Sequence, residues 1–280
     1  GSVSIRNQLA LSNFLESDRL TNVIVFVSRI VFVTICFEML GAMLIYASLD
    51  TTSFDNEGEK IFFAVFHSVS AFCNAGFSTL TNGLYEEPLR FNYSLHWVIA
   101  SLIILGGTGF PVLFNLFTFL RIQLFNLVKR LLAIPQREVF TNFLPASSKL
   151  ALATTALLIL FGFVAYFILE FNSTLFAHHT LLGKVTTSFF GSITPRTAGF
   201  NTVDLTMMTI PTVIIYLLLM WIGASPGSTG GGIKTTVAAV AFLNVRSLLF
   251  GHKRIMAYKI EITDLSMKRA FAIMVVSLLF

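Results

Sequence analysis

Apolar runs and polar interruptions alternate along this chain in an order that occurs twice. Val23 to Leu49 is one apolar run carrying two charges, Arg29 and Glu38. Roughly 20 apolar residues cross about 30 Å of hydrocarbon, so the run predicts a spanning helix. Ile61 to Cys73 is apolar but about half a span long, which predicts a helix that enters the membrane and stops there. A second span is predicted from Leu95 to Leu120, with GGTGFP inside it at residues 106–111. After a basic stretch at 121–149 the order restarts. A span from Leu150 to Leu169 is followed by a half-helix from Leu181 to Ile193 and a long apolar stretch from Met207 to Phe250. That last stretch is interrupted at residues 222–236 by IGASPGSTGGGIKTT, whose five glycines and one proline rule against a regular helix.

The pattern divides the chain into a connector (1–22), a helix, pore loop and helix unit (23–120), a second connector (121–149) and a second unit with a broken inner helix (150–250). Residues 251–280 form a last connector and the start of a further unit near Arg269. The fold class is therefore an all-α membrane protein built from repeated helix, re-entrant loop and helix units.

Each half-helix runs into a polar loop, and the two loops are spelled alike: SVSAFCNAGFST at 68–79 and SITPRTAGFNT at 192–202. With one gap, Phe66, Ser68, Val69 and Ser70 align with Phe190, Ser192, Ile193 and Thr194. Ala75, Gly76 and Phe77 align with Ala198, Gly199 and Phe200, and Thr79 with Thr202. Irregular backbone is tolerated at membrane depth only where it is buried in protein or lines a water-filled path. A half-helix also points the negative end of its dipole at the loop after it. Glycine at 76 and 199 frees the backbone to aim carbonyls at one axis, and rings of carbonyls replace the hydration shell of an alkali cation. The alternative for either loop alone is a tight turn between packed helices.

Composition changes this picture little: 55% of residues are hydrophobic, 12% are charged and the mean hydropathy is +0.80. A soluble domain would carry about a quarter charged residues. Cys36 and Cys73 are the only cysteines, so neither a disulfide framework nor a thiolate metal cluster is indicated. Charge placement adds orientation. The connectors hold Arg121, Lys129, Arg130, Arg137, Lys149, Arg246, Lys253, Arg254, Lys259, Lys268 and Arg269 against Glu138, Glu261 and Asp264. By the positive-inside rule that face is cytoplasmic. The opposite face holds Asp50, Asp55, Glu57, Glu59, Glu86, Glu87, Glu170 and Asp204 against Lys60, Arg90, Lys184 and Arg196. Such an outward acidic vestibule would concentrate cations.

Two tempting motifs fail. Gly227 to Thr235 approaches the phosphate-binding G-x-x-x-x-G-K-[ST], but Ile233 separates Gly232 from Lys234 and no strand precedes it. His178 and His179 lack a third metal ligand nearby in sequence. An enzyme is not expected, since only Glu38 offers a catalytic side chain within the spans. No nucleic-acid partner is expected.

The motifs NAGFS, TPRTAGFNT, GGTGFP and GSTGGGIKTT together resemble the pore-forming subunits of the Trk/Ktr/HKT superfamily of potassium transporters, close to the bacterial Trk and Ktr type. The resemblance covers essentially the whole chain from about residue 20. It implies four helix, pore-helix, helix repeats with pseudo-fourfold symmetry about one ion path, each giving one filter glycine. It assigns the selectivity filter, with K+ on backbone carbonyls, to Asn74, Ala75, Gly76 and Phe77 and to Thr197, Ala198, Gly199 and Phe200. It assigns a gating loop to Gly227, Ser228, Thr229, Gly230, Gly231, Gly232 and Lys234. It further implies K+ as the transported ion, a location in the cytoplasmic (inner) membrane, a homodimer and a cytoplasmic nucleotide-binding regulatory subunit of RCK/KTN type. The basic connectors could meet that subunit or anionic lipid headgroups. A Na+-conducting member and the ion-binding subunit of a K+-pumping ATPase are the alternative readings. Only two complete repeats are present, so the expectation is a piece of a longer polypeptide, or else an assembly of two copies.

Four side chains carry open questions. Glu38 near mid-span is either functional or hydrogen-bonded to a pore helix. Arg29 lies on the opposite helical face and is expected to snorkel to the inner interface. Arg196 could brace the filter, repel cations or form a structural ion pair, the last being favoured. Lys234 would oppose ion passage at the gate, or else cap a helix end or form an interface salt bridge.

Overall fold

The computed structural model describes residues 18–50, 54, 56–131, 144–251, 256–258 and 260–279. The expectations for residues 1–17 and 132–143, and for Asp55, Arg137, Glu138, Lys253, Arg254 and Lys259, fall outside that set. The first unit contains α1 (Asp18–Ser48), α2 (Glu57–Phe72), α3 (Tyr93–Thr108) and α4 (Phe110–Leu131). The second contains α5 (Ala146–Leu169), α6 (Leu181–Ile193), α7 (Ile210–Trp221) and α8 (Thr235–Leu249). A two-residue hairpin, β1 (Met256–Ala257) with β2 (Ile260–Glu261), precedes α9 (Asp264–Leu279).

Two stretches are long and apolar enough to cross a membrane, Val23–Ser48 and Ala146–Leu169. A third span exists if α3 and α4 are taken together, but the two meet at an angle of 103°. This corrects the single straight span expected from Leu95 to Leu120. The reason is local: Gly109 closes α3 with φ +87°, Pro111 comes two residues later, and α4 then runs on past residue 120 to Leu131.

The second half-helix has the bounds expected, Leu181–Ile193, the first starts about a turn before the expected Ile61, at Glu57, and both start on identifiable caps. Asn56 accepts from the Glu59 amide at 2.8 Å, and Glu57 and Glu59 favour the positive end of α2. Thr180 accepts from the Gly183 amide at 3.0 Å at the head of α6. Both half-helices pack against α3, α2 also against α1 and α6 also against α5. The shared core includes Phe63, Phe72, Ile99, Ile103, Phe190 and Ile193. Lipid tails are as apolar as these side chains, so helix association in a membrane depends on close packing and small residues. Gly41 admits Ser68 and Leu102 in this way, and Gly162 admits Ser192 and Leu219. Large apolar residues such as Phe32, Leu157 and Ile214 face outward.

Candidate ion path

The two loops that succeed the half-helices are built by the same bonds. Ser70 donates its hydroxyl to the Phe77 carbonyl at 2.8 Å, and its aligned partner Thr194 donates to the Phe200 carbonyl at 2.5 Å. The Ala75 amide reaches back to the Ser70 carbonyl at 2.8 Å, and its aligned partner, the Ala198 amide, to the Thr194 carbonyl at 3.1 Å, which the Gly199 amide also reaches at 2.9 Å. Backbone φ is positive at Asn74 and Gly76 (53° and 71°) and at Thr197 and Gly199 (90° and 83°). A Cβ at Gly76 would collide with the Ala198 carbonyl, whereas Gly199 has open space around it. The loops also touch through side chains, with the Thr197 hydroxyl 3.5 Å from Asn74 Oδ1. They differ outwardly, because Phe77 is 69% exposed and Phe200 only 2%.

Residues 222–234 leave the helix, two residues fewer than the 222–236 expected, because α8 already begins at Thr235. The base of this loop is zipped by Gly223 N to Ile233 O (3.0 Å), Ala224 N to Gly231 O (3.2 Å) and Ile233 N to Trp221 O (3.2 Å). Its middle lies against the first unit. The Thr229 hydroxyl donates to the Phe72 carbonyl at 2.9 Å and accepts from Asn74 Nδ2 at 2.9 Å. Gly230 packs on Thr197 and Ala224, which leave no room for a side chain. The loop therefore touches both filter-like loops. Behind it, the buried hydroxyls of Thr155, Ser225 and Thr235 form a chain at 3.5 and 3.3 Å.

Arg196 is buried and donates Nη2 to the Gly223 carbonyl at 3.0 Å. The favoured ion pair is thus replaced by a carbonyl just beyond the last turn of α7, where helix carbonyls lack intrahelical partners. Lys234 occupies the N-cap position of α8 and donates to the Gly230 carbonyl at 2.7 Å, so it stitches the loop to itself rather than capping a helix C-terminus. Glu38 is tied to α2: Ser68 donates to its backbone carbonyl at 2.6 Å and the Cys73 thiol approaches its carboxylate at 3.7 Å.

The matched loops, each after a half-helix and joined by a glycine-rich break, fit one family. A profile described as "TrkH: Cation transport protein" matches residues 1–278. The chain belongs to the TrkH family of cation transport proteins. Family membership places it among membrane transport proteins and not among enzymes. The chain is similar to the Ktr system potassium uptake protein B of Vibrio alginolyticus, with 33% identity over 98% of this chain and 56% of that protein. It is similar to the potassium/sodium uptake protein NtpJ of Enterococcus hirae, with 30% identity over 99% of this chain and 56% of that protein. The chain thus spans little more than half the length of these TrkH-family relatives. In fold it resembles the crystal structure of the potassium transporter TrkH from Vibrio parahaemolyticus, with a TM-score of 0.64 and 15% identity over 92% of this chain and 49% of that one.

Other residues stand apart from the sequence reading. Glu170, counted among the vestibule acids, is fully buried at the end of α5. Its carboxylate accepts from the amide and hydroxyl of Thr174 (3.3 and 2.9 Å) and of Thr209 (2.9 and 2.8 Å). Burial alone would raise its pKa, but bonds from Thr212, Thr209 and Thr174 outweigh it and hold the carboxyl below the usual range. Lys60 is likewise buried, its ammonium 4.3 Å from the Tyr46 ring centroid. His178 is enclosed by Tyr93 (3.0 Å) and Thr187 (3.3 Å), and its burial, with Arg90, His179 and Lys184 adding to it, pushes its pKa down to about 4. Among the described residues no cluster of three metal-ligating side chains occurs. His67 is not among the candidate residues taken from the sequence. It stacks on Phe63 at 3.8 Å and reaches Ser78 at 2.9 Å, bracing the first loop from behind. A histidine alone in an apolar half-helix is the signal that points to it.

Proposed function

We propose that the complete polypeptide takes up K+ across the cytoplasmic membrane, down its electrochemical gradient, along a path lined by the two matched loops. The observation that carries this reading is the repeated stitch, Ser70 to Phe77 and Thr194 to Phe200, which fixes equivalent carbonyls in both loops. Fixed carbonyls can replace water around a cation without collapsing onto it. The filter residues are Asn74 to Phe77 and Thr197 to Phe200, contributed by pore units at 23–120 and 150–250. Further units of the pseudo-fourfold path are supplied beyond these two. Residues 227–234 form the gate, since they lie against both loops and carry the Lys234 cation. The inner connectors meet a nucleotide-binding regulatory subunit and anionic lipid, and the transporter works as a homodimer. Similarity to a Vibrio alginolyticus protein named for potassium uptake supports K+ as the ion.

The test is growth of a potassium-uptake-deficient bacterium at limiting K+ with the complete polypeptide, with and without Gly199→Ser. Growth that depends on Gly199 is expected. Equal growth of both, or no rescue despite confirmed membrane insertion, would sink the reading. Permeation of Na+ is the second reading, favoured by similarity to a protein named for potassium/sodium uptake.

A further inference from the structure

The break between α3 and α4 is fitted to the glycine-rich loop bond by bond. In a continuous α-helix each amide donates to the carbonyl four residues earlier, so Phe110 would pair with Gly106 and residue 111 with Gly107. Neither pair exists. Phe110 N donates instead to Gly227 O at 3.0 Å, and Gly106 O accepts from Thr229 N at 3.2 Å. Gly107 O accepts from Ser225 N at 3.0 Å. Residue 111 is proline and has no amide to offer Gly107 under any geometry. Its ring also meets the loop directly, because a Cβ at Gly227 would lie 2.9 Å from Pro111 Cδ.

We propose that the α3–α4 break is the seat of the gate and that Pro111 is the positioning residue that keeps the seat open. This rests on the reading of residues 227–234 as a gate. The bonds define an exchange. With the loop seated, Gly106 and Phe110 are each paired to it and the helix stays bent at 103°. When the loop leaves, these two groups can satisfy each other only if α3 and α4 straighten, since an unpaired backbone group inside a membrane is costly. Gly107 gains nothing from straightening, because position 111 is proline, and so it continues to favour Ser225. Loop withdrawal and helix straightening are therefore one transition. α4 leads to the basic inner connector, so a partner that pulls on α4 would move the gate.

The experiment compares wild type, Pro111→Ala and Thr229→Val in the complete polypeptide, reading initial K+ uptake against concentration and Na+ competition. Pro111→Ala supplies the missing amide, so Gly107 can pair within the helix and Ser225 loses its exclusive claim. Loss of one ordinary hydrogen bond from the seated state raises the maximal rate about fivefold where the seated state dominates. The apparent KM and the preference over Na+ stay unchanged, and Thr229→Val shifts the rate in the same direction. A merely structural proline would give a lower rate. Spin labels at Ser101 and Leu124, on a background lacking Cys36, Cys73 and any further native cysteine, report the bend independently. A longer distance in Pro111→Ala is expected. A variant at wild-type membrane level whose rate does not rise, or an unchanged distance distribution, overturns the proposal. Absence of transport by the wild type would instead strike the proposed function, and the label distance would still decide this one.

Discussion

Asn74 and Thr197 hold equivalent places in the two loops and meet each other, the threonine hydroxyl 3.5 Å from the asparagine carbonyl oxygen. Around this contact each loop is pinned by a hydroxyl at the end of its half-helix. Thr194→Val keeps the shape and deletes the bond to Phe200. About 1 kcal/mol of restraint on that carbonyl is lost, so discrimination of K+ over Na+ is expected to fall roughly five- to tenfold. Ser70→Ala is expected to act likewise through Phe77. Competition uptake with both ions measures this, and a variant with unaltered discrimination would refute the carbonyl assignment.

The aligned glycines are not equivalent in tolerance. Gly199 has positive φ but open space, so Gly199→Ala is expected to cost about 1–2 kcal/mol of backbone strain and to leave a folded protein. Gly76→Ala adds a collision with the Ala198 carbonyl to the same strain. The lower thermal midpoint in detergent and the larger loss of uptake should both belong to Gly76→Ala.

Lys234 holds the loop together through the Gly230 carbonyl and places a cation beside the proposed path. Lys234→Met removes both effects. Uptake at low external K+ is expected to rise several-fold, and a fall with normal membrane insertion would show that Lys234 serves folding instead.

Glu170 gives the outer turn a pH dependence. Its folded pKa lies below the ordinary 4.5, so its contribution is complete above 4.5 and is lost as pH falls through the lower folded value. Glu170→Gln replaces an acceptor with an amide donor facing threonine donors, and is expected to cost about 2 kcal/mol near neutrality. Thermal midpoints tracked from about pH 7 to about pH 3 should converge for wild type and variant at the acid end. Parallel curves would contradict this.

Much of the fold can be read from the residues because length is unambiguous in a membrane. The half-helix at Leu181–Ile193 ends where its apolar run ends, and the break at 222–234 arises from its glycines and proline. GGTGFP carries glycines and a proline as well, yet the apolar residues on both sides favour one span, and the bend at Gly109 is seen only in the structure. The two breaks are halves of one long-range contact: the α3–α4 ends are satisfied by residues of the 222–234 loop more than a hundred positions away, which a local run of letters does not show. Glu170 and Arg196 are hard to place from sequence for a related reason, since Thr209 and Gly223 come from other turns of the chain, whereas Lys234 meets the Gly230 carbonyl only four residues before it. A charged letter shows neither its burial nor the carbonyl or hydroxyl that meets it.

The Ala198 carbonyl stands where a side chain on residue 76 would have to be. Two stretches of sequence with a common spelling have therefore ceased to be interchangeable parts. Because the obstacle is main chain, no substitution at position 198 removes it, so position 76 is held to glycine whatever residue stands at 198, while its counterpart at 199 answers only to its own backbone angle.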